Sequence, residues 1–333
     1  MTKKERDLNF YDQIERDYST YLIKKGDSDL ISRISTGSLS LDVMTNGGIP
    51  MRKFTEIYGP EGVGKTTLAL SIAKNAINAG YSVLYVDAEQ AVDINFAEKI
   101  IENIDKFTLM QPEVLEDTLS LCESAIHEKL FNLIILDSIA SMTPRKVIKE
   151  TLEDSNPYIL PKKLTLFVHR NAYALRNFDV AFIGINQVRD DTSNPYIRTF
   201  AVPGGHAWKH LCSLRIQLNR SDNIVQGDAV LGISTRFIIK KSKVSPPYRT
   251  GNIPIMFGDG YAYIDFYRDV VDLATILGIL IKSGAYYKYE DITLGRGMNN
   301  AIEYLKNSSD TLDSIIQMCY NIVNRTSITD DDV

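Results

Sequence analysis

The residues with the clearest chemistry are a run of glycines followed by a lysine and a threonine. Gly59-Pro60-Glu61-Gly62-Val63-Gly64-Lys65-Thr66-Thr67 fits G-x-x-x-x-G-K-[ST], a phosphate-binding loop. Glycines let the backbone turn through positive φ and bring its N–H groups against phosphate oxygens. Lys65 is placed to reach the β- and γ-phosphates, and the Thr66 hydroxyl to ligate Mg²⁺. The helix expected next, T-L-A-L-S-I-A-K, turns its positive N-terminus to the anion. Chance produces this pattern in roughly 1% of chains of this length. A strand before it (F-T-E-I-Y) and a helix behind it lower that further, so a Gly-rich surface turn with a solvated lysine is the weaker alternative. ATP and Mg²⁺ are the expected cofactors.

Such a site needs a carboxylate at a strand end to orient the shell of the metal ion. Leu133-Ile134-Ile135-Leu136-Asp137 offers Asp137 where a buried strand leaves the core. Hydrolysis also needs a group that positions or deprotonates the attacking water. Glu89 ends the strand segment V-L-Y-V-D-A-E, and Asp87 and Asp93 serve equally on sequence alone. Gln187 ends a further strand and can touch a γ-phosphate. Val188 to Pro203 follows, a long stretch without a clear element, closed by Gly204-Gly205. Loops of that length are functional or disordered. Arg189, Tyr196 and Arg198 suit phosphates and bases.

The elements that must position these groups alternate. Strands are expected at 54–58, 82–86, 132–136 and 180–185, with helices at about 65–79, 113–130 and 161–177. Short apolar runs alternating with helices indicate an α/β fold with a parallel sheet covered on both faces. Its strand carboxyl ends share one edge, where ligands sit. Runs 213–218 and 233–241 lack intervening helices and are expected to extend the sheet antiparallel. Helical patterns at 266–281, 299–306 and 311–323 predict a small α-rich C-terminal domain. Ahead of the core, Leu8, Tyr11, Ile14, Tyr18 and Leu22 recur at helical spacing over 5–25. That stripe must dock, on its own domain or on a neighbouring subunit.

Bulk properties exclude some classes. Among 333 residues, 44% are hydrophobic and no run approaches the ~18 apolar residues of a membrane span. No apolar region follows the charged N-terminus, so no secretory signal is expected. Cys122, Cys212 and Cys319 are dispersed and odd in number, which predicts reduced thiols and a cytoplasmic location. A net charge of -5 neither supports nor excludes a polyanionic partner.

Several motifs together resemble the RecA family of bacterial and phage DNA strand-exchange recombinases. Ile34 to Asp42 resembles the lead-in to that family's ATPase core, and Asp87-Ala88-Glu89-Gln90-Ala91-Val92-Asp93 its catalytic-glutamate motif. Ile185-Asn186-Gln187-Val188-Arg189 resembles its switch-glutamine strand. Lys240 to Lys243 and Pro247-Tyr248 fall where the family has a basic segment facing a neighbour's ATP. The order is colinear from about 34 to 306. The resemblance implies an N-terminal oligomerisation segment (1–33), a RecA-like ATPase core (34–262) and a C-terminal domain with a short acidic tail (263–333). It implies a helical homo-oligomer on single-stranded DNA that then engages homologous double-stranded DNA. Glu89 would activate water, with Lys65 and Gln187 on the phosphates and Lys241 and Lys243 acting in trans. Asp93 and Phe96 would flank the nucleotide. Loop one would offer Asn156 and Tyr158, and the helix behind it Lys162, His169 and Arg170. Loop two would offer Arg189, Tyr196, Arg198, Gly204 and Gly205. A LexA-like or phage repressor joins the candidate partners.

The chain departs from that pattern in places. Phe96 stands where a Tyr commonly packs on adenine, and His210 where a Phe commonly packs across the interface. Asn156-Pro157-Tyr158 replaces a short His-Met-Gly run, and loop two opens with Asp190-Asp191. Two carboxylates beside phosphates weaken DNA binding unless they point away. These departures mark a divergent member. A ring-forming motor or clock-type ATPase with the same core, and a non-catalytic DNA-binding or regulatory homologue, are the alternatives. Assembly shape discriminates the first and ATP turnover the second.

Overall fold

The computed structural model describes residues 31–149, 158–191 and 199–325. The expected N-terminal helix, and Asn156, Tyr196 and Arg198, lie outside the described residues. Strands β1 (Arg33–Ile34) and β2 (Ile49–Pro50) form a short antiparallel pair ahead of the main sheet. Next come β3 (Phe54–Gly59), β4 (Val83–Asp87), β5 (Phe107–Met110), β6 (Leu133–Asp137) and β7 (Ala181–Gln187). These five pair in parallel in the spatial order β3-β7-β6-β4-β5.

Every residue of β3, β4 and β6 is buried, as a sheet covered on both faces requires. The period of two divides their side chains between two apolar layers. Val83, Tyr85, Leu133 and Ile135 pack with the Lys65–Asn78 and Ile94–Ile101 helices. Leu84, Val86, Ile134 and Leu136 pack with the Leu115–His127 and Ile159–Phe178 helices.

Three expectations need correction. The run at 213–218 does not join antiparallel: β10 (Leu214–Gln226) pairs in parallel with β3. A short helix, Gly205–Leu211, precedes it and supplies the crossover that parallel pairing needs. Only β11 (Ala229–Ser242), β12 (Thr250–Gly258) and β13 (Tyr261–Ile264) continue the sheet antiparallel. Second, 188–203 is not free of elements. β8 (Arg189–Asp191) pairs antiparallel with β9 (Thr199–Ala201), so the two ends of loop two are joined.

Third, the C-terminal region is not simply helical. The Phe266–Ile276 helix stops where Gly278 takes φ +73° and Ile279 N–H returns to the Ala274 carbonyl. Beyond it, β14 (Leu280–Ser283), β15 (Tyr286–Tyr289) and β16 (Ile292–Arg296) form an antiparallel sheet. Burial alternates there, with Tyr287 and Tyr289 inside and Tyr286 and Lys288 outside. That sheet and the Met298–Lys306 and Ser309–Arg325 helices share an apolar cluster with Leu39 and Val43. Among the described residues no helix is long and apolar enough to cross a membrane.

Candidate nucleotide site

The carboxyl ends of β3, β4, β6 and β7 meet at one edge, and the phosphate loop leaves β3 there. Gly64 caps the Lys65–Asn78 helix with φ +86° and no side-chain cap bond, so the first helical N–H groups stay open to an anion. The positive φ is what requires glycine at Gly64; a Cβ there would also stand 2.1 Å from Ile255 Cδ1, the mobile end of a side chain that would have to shift. Lys65 Nζ donates to the carbonyls of Gly59 (3.1 Å) and Pro60 (2.6 Å). Burial lowers its pKa, against Asp137, Glu89 and Glu61, which raise it. The ammonium is thus held at the loop on two neutral acceptors, where phosphate oxygens are the better partner.

Register places the carboxylates. Asp87 and Asp137 are opposite each other at the ends of β4 and β6. Asp137 Oδ2 accepts from Thr66 Oγ1 at 2.9 Å and from the fully buried Tyr85 hydroxyl at 2.7 Å. Burial raises the Asp137 pKa, while the Tyr85 and Thr66 bonds lower it. A hydroxyl and a carboxylate in contact are hard oxygen donors of the kind Mg²⁺ takes beside substrate phosphates. Thr66 and Asp137 fit that ion.

Geometry separates the three candidate bases. Asp87 is fully buried; it accepts from Glu89 N–H (3.2 Å), Val92 N–H (2.9 Å) and Gln111 Nε2 (3.0 Å). It shapes the turn that carries Glu89. Asp93 is exposed and caps the Ile94–Ile101 helix, accepting from Asn95 N–H at 2.8 Å. Only Glu89 lines the cavity, where Gln187 Nε2 donates to its two oxygens at 3.1 and 3.2 Å.

The cavity is about 390 Å³ and brings together Lys65, Thr66, Thr67, Glu89, Asp137 and Gln187 with Glu61, Gly62 and Gly64. Ile233, Ile255, Phe257 and Ala262 complete it as an apolar wall from β11, β12 and β13. No motif flags that wall. Its one trace in the sequence is the aromatic Phe257, which stays half exposed beside buried neighbours. Other phosphate-loop residues face elsewhere: Val63 is in the core and its carbonyl accepts from Thr235 Oγ1. Phe96 is half-buried against the core, and neither it nor Asp93 lines the cavity.

The remaining candidates lie apart from the cavity. Lys241 sits eight residues along β11 from Ile233, about 25 Å at strand rise. Its Nζ donates to the carbonyls of Lys209 (2.9 Å) and His210 (2.7 Å), at the end of the Gly205–Leu211 helix. Lys243 is exposed. Tyr158, Lys162 and His169 are exposed on or at the start of the Ile159–Phe178 helix, the last two on one stripe. Arg170 is held by Glu123 of the neighbouring helix at 3.0 Å. Arg189 opens β8. Gly204 (φ +101°) and Gly205 (φ +78°) bring the end of loop two against Leu164 and Pro161.

A phosphate loop leaving β3, Asp137 at the end of β6, Glu89 just after β4 and Gln187 at the end of β7 define a P-loop ATPase on a mostly parallel sheet. The comparisons agree. The RecA N-terminal domain model matches residues 8–262 and the RecA C-terminal domain model residues 268–321. Protein RecA of Bacillus licheniformis is 34% identical over 304 residues, covering 90% of this chain and 86% of that protein. Protein RecA of Caldanaerobacter subterraneus subsp. tengcongensis is 32% identical over 320 residues, 95% and 93% of the two chains. Among solved structures, the RadB recombinase shares the fold with a TM-score of 0.51 at 22% identity, over 67% of this chain and 96% of that one. The chain belongs to the RecA family, whose members are DNA-dependent ATPases of strand exchange.

Proposed function

We propose that this chain coats single-stranded DNA as a helical homo-oligomer, hydrolyses ATP with Mg²⁺ between subunits, and pairs the coated strand with homologous duplex DNA. The observation that carries this is the contact of Gln187 with Glu89. It joins a catalytic carboxylate directly to the residue that precedes loop two.

Each step falls to a residue already placed. Lys65 exchanges the Gly59 and Pro60 carbonyls for the β- and γ-phosphate oxygens. Thr66 and Asp137 would hold Mg²⁺, which would offset phosphate charge when bound. Glu89 accepts a proton from the attacking water, and Gln187 exchanges its bond to Glu89 for one to the γ-phosphate. The wall of Ile233, Ile255, Phe257 and Ala262 receives the base. Lys241 and Lys243, too distant from their own cavity, serve the γ-phosphate of the adjacent subunit. Asp93 and Phe96 contact the nucleotide where it extends beyond the cavity.

Tyr158, Lys162, His169 and Arg170 serve DNA binding, as do Arg189, Gly204 and Gly205, and Asn156, Tyr196 and Arg198 complete the set. A cytoplasmic location and a LexA-like or phage repressor as filament partner belong to the same proposal. ATP turnover with and without single-stranded DNA, with the assembly imaged by electron microscopy, is the test. Stimulated turnover and open helical filaments are expected. Absence of both, or closed rings, contradicts the proposal.

A further inference from the structure

Behind the nucleotide edge lies a second polar cluster that ATP chemistry does not use. Glu56, in mid β3, is fully buried. Three donors from three elements meet its carboxylate. Asn186 Nδ2 of β7 (3.1 Å) and Trp208 Nε1 of the Gly205–Leu211 helix (2.8 Å) share Oε1. Arg215 Nε of β10 binds Oε2 at 2.5 Å. The indole reaches Glu56 across β7 because Gly184 leaves room: a Cβ there would stand 2.4 Å from the Trp208 ring.

The cluster continues in both directions. Asn186 Nδ2 also donates to the Pro203 carbonyl at 2.8 Å, and Asn186 Oδ1 accepts from Gln187 N–H at 3.1 Å. Gln187 in turn holds Glu89. A path of hydrogen bonds therefore runs from Glu89 to the Gln187 side chain, and from the Gln187 main-chain N–H through Asn186 and Glu56 to Trp208, with the end of loop two tied in at Pro203. A buried ion pair is a poor way to gain stability, since an apolar filling does as well. What the cluster adds is geometry: Glu56 on β3 accepts from both Trp208 and Asn186, and so ties the helix behind loop two to the strand that carries Gln187.

Resting on the proposed function, we propose that Glu56 and Trp208 are positioning residues that couple the γ-phosphate contact of Gln187 to the shape of loop two. When Gln187 moves to the phosphate, Asn186 shifts on Glu56, and Trp208 carries the helix and the Pro203-Gly204-Gly205 turn with it. DNA on loop two drives the same chain in reverse and sets Gln187 against Glu89.

Spatial continuity is coupling only if one end moves the other. Trp208 is the only tryptophan in the chain, so its emission reports the cluster directly. In the unmodified protein, a non-hydrolysable ATP analogue with Mg²⁺ is expected to shift that emission, and Glu56→Gln and Gln187→Ala to abolish the shift. Glu56→Gln keeps the volume, and Trp208→Phe keeps an aromatic ring against Phe54 and Phe182. Both variants are expected to bind the analogue within about twofold of normal. Both should lose roughly tenfold in stimulation of turnover by single-stranded DNA, the factor one charge-assisted hydrogen bond supplies. An emission that ignores the analogue, or full DNA stimulation in the two variants, overturns the coupling. An unmodified protein whose turnover ignores single-stranded DNA overturns the proposed function, and the coupling with it.

Discussion

Tyr85→Phe isolates the support of the metal carboxylate. The Tyr85 ring is buried against Phe107, and its hydroxyl has one acceptor among the described residues, Asp137 Oδ2 at 2.7 Å. Phe keeps the ring and removes one oxygen, so packing is nearly conserved and no cavity of methyl size forms. What changes is Asp137. It keeps only the Thr66 donor on that oxygen, and Thr66 is itself a ligand for Mg²⁺ in the proposed site. A hydrogen bond to a charged group contributes about 1.5–3 kcal/mol. Losing an outer partner of a metal ligand typically weakens the metal by about 10- to 100-fold. The expected result is a Mg²⁺ half-saturation for ATP turnover raised by about tenfold or more, with turnover near normal at saturating Mg²⁺. A magnesium titration at fixed ATP, run beside a thermal melt, reads both. An unchanged half-saturation together with a lowered melting temperature would refute the reasoning, because Tyr85 would then be packing alone.

Three more outcomes are expected. Glu89→Gln should cut turnover by about 10²- to 10⁴-fold while leaving nucleotide affinity largely intact, measured by steady-state kinetics beside equilibrium binding. Gly64→Ala should weaken nucleotide binding by about tenfold or more, because the backbone holds φ +86°, a conformation costing an L side chain about 1–3 kcal/mol, which equilibrium titration with an ATP analogue reads directly. Asp269 is fully buried under the bonds of Ser38 and Ser40, and burial pushes its pKa from 3.8 up to about 7. The folded state therefore holds a proton that the unfolded chain releases first. This contribution to stability is complete below about pH 4 and is lost as pH rises to about 7, at about 1.4 kcal/mol per unit. Asp269→Asn should flatten that slope in denaturant melts collected across the window.

The site was legible where chemistry dictates residue type. A phosphate needs glycines and a lysine at one spacing, and a metal needs a carboxylate at a strand end, so Lys65, Thr66 and Asp137 could be read directly. Choosing Glu89 over Asp87 and Asp93 takes tertiary structure, because all three lie at or just beyond the end of β4 and only their partners separate them: Asp87 is held by the Glu89 and Val92 N–H groups and Gln111, Asp93 caps a helix, and Glu89 lines the cavity. The apolar wall escaped notice because burial against residues distant in sequence leaves no local pattern. Glu56 and Trp208 stayed hidden for the same reason: a buried carboxylate within an apolar strand has meaning only through the donors that reach it. The Gly205–Leu211 helix is concealed by its opening glycine, and without that crossover the pattern of 213–218 reads as antiparallel. The C-terminal sheet is faint in the sequence although burial of Tyr286 to Tyr289 alternates. Its strands are short, and the flanking helices dominate the pattern.

The central claim is that one chain holds half of an ATP site and its neighbour the other half. A mixing experiment tests it most directly. Lys65→Ala lacks the phosphate-loop lysine but keeps Lys241 and Lys243, while the Lys241→Ala, Lys243→Ala double variant has the reverse defect. Each alone should show almost no turnover on single-stranded DNA. Mixed in equal amounts, they assemble at random through a head-to-tail interface, and about one interface in four joins an intact phosphate loop to an intact lysine pair. Recovery of about a quarter of normal turnover is the predicted result. No recovery in mixed filaments, or full activity of the double variant alone, would contradict the account.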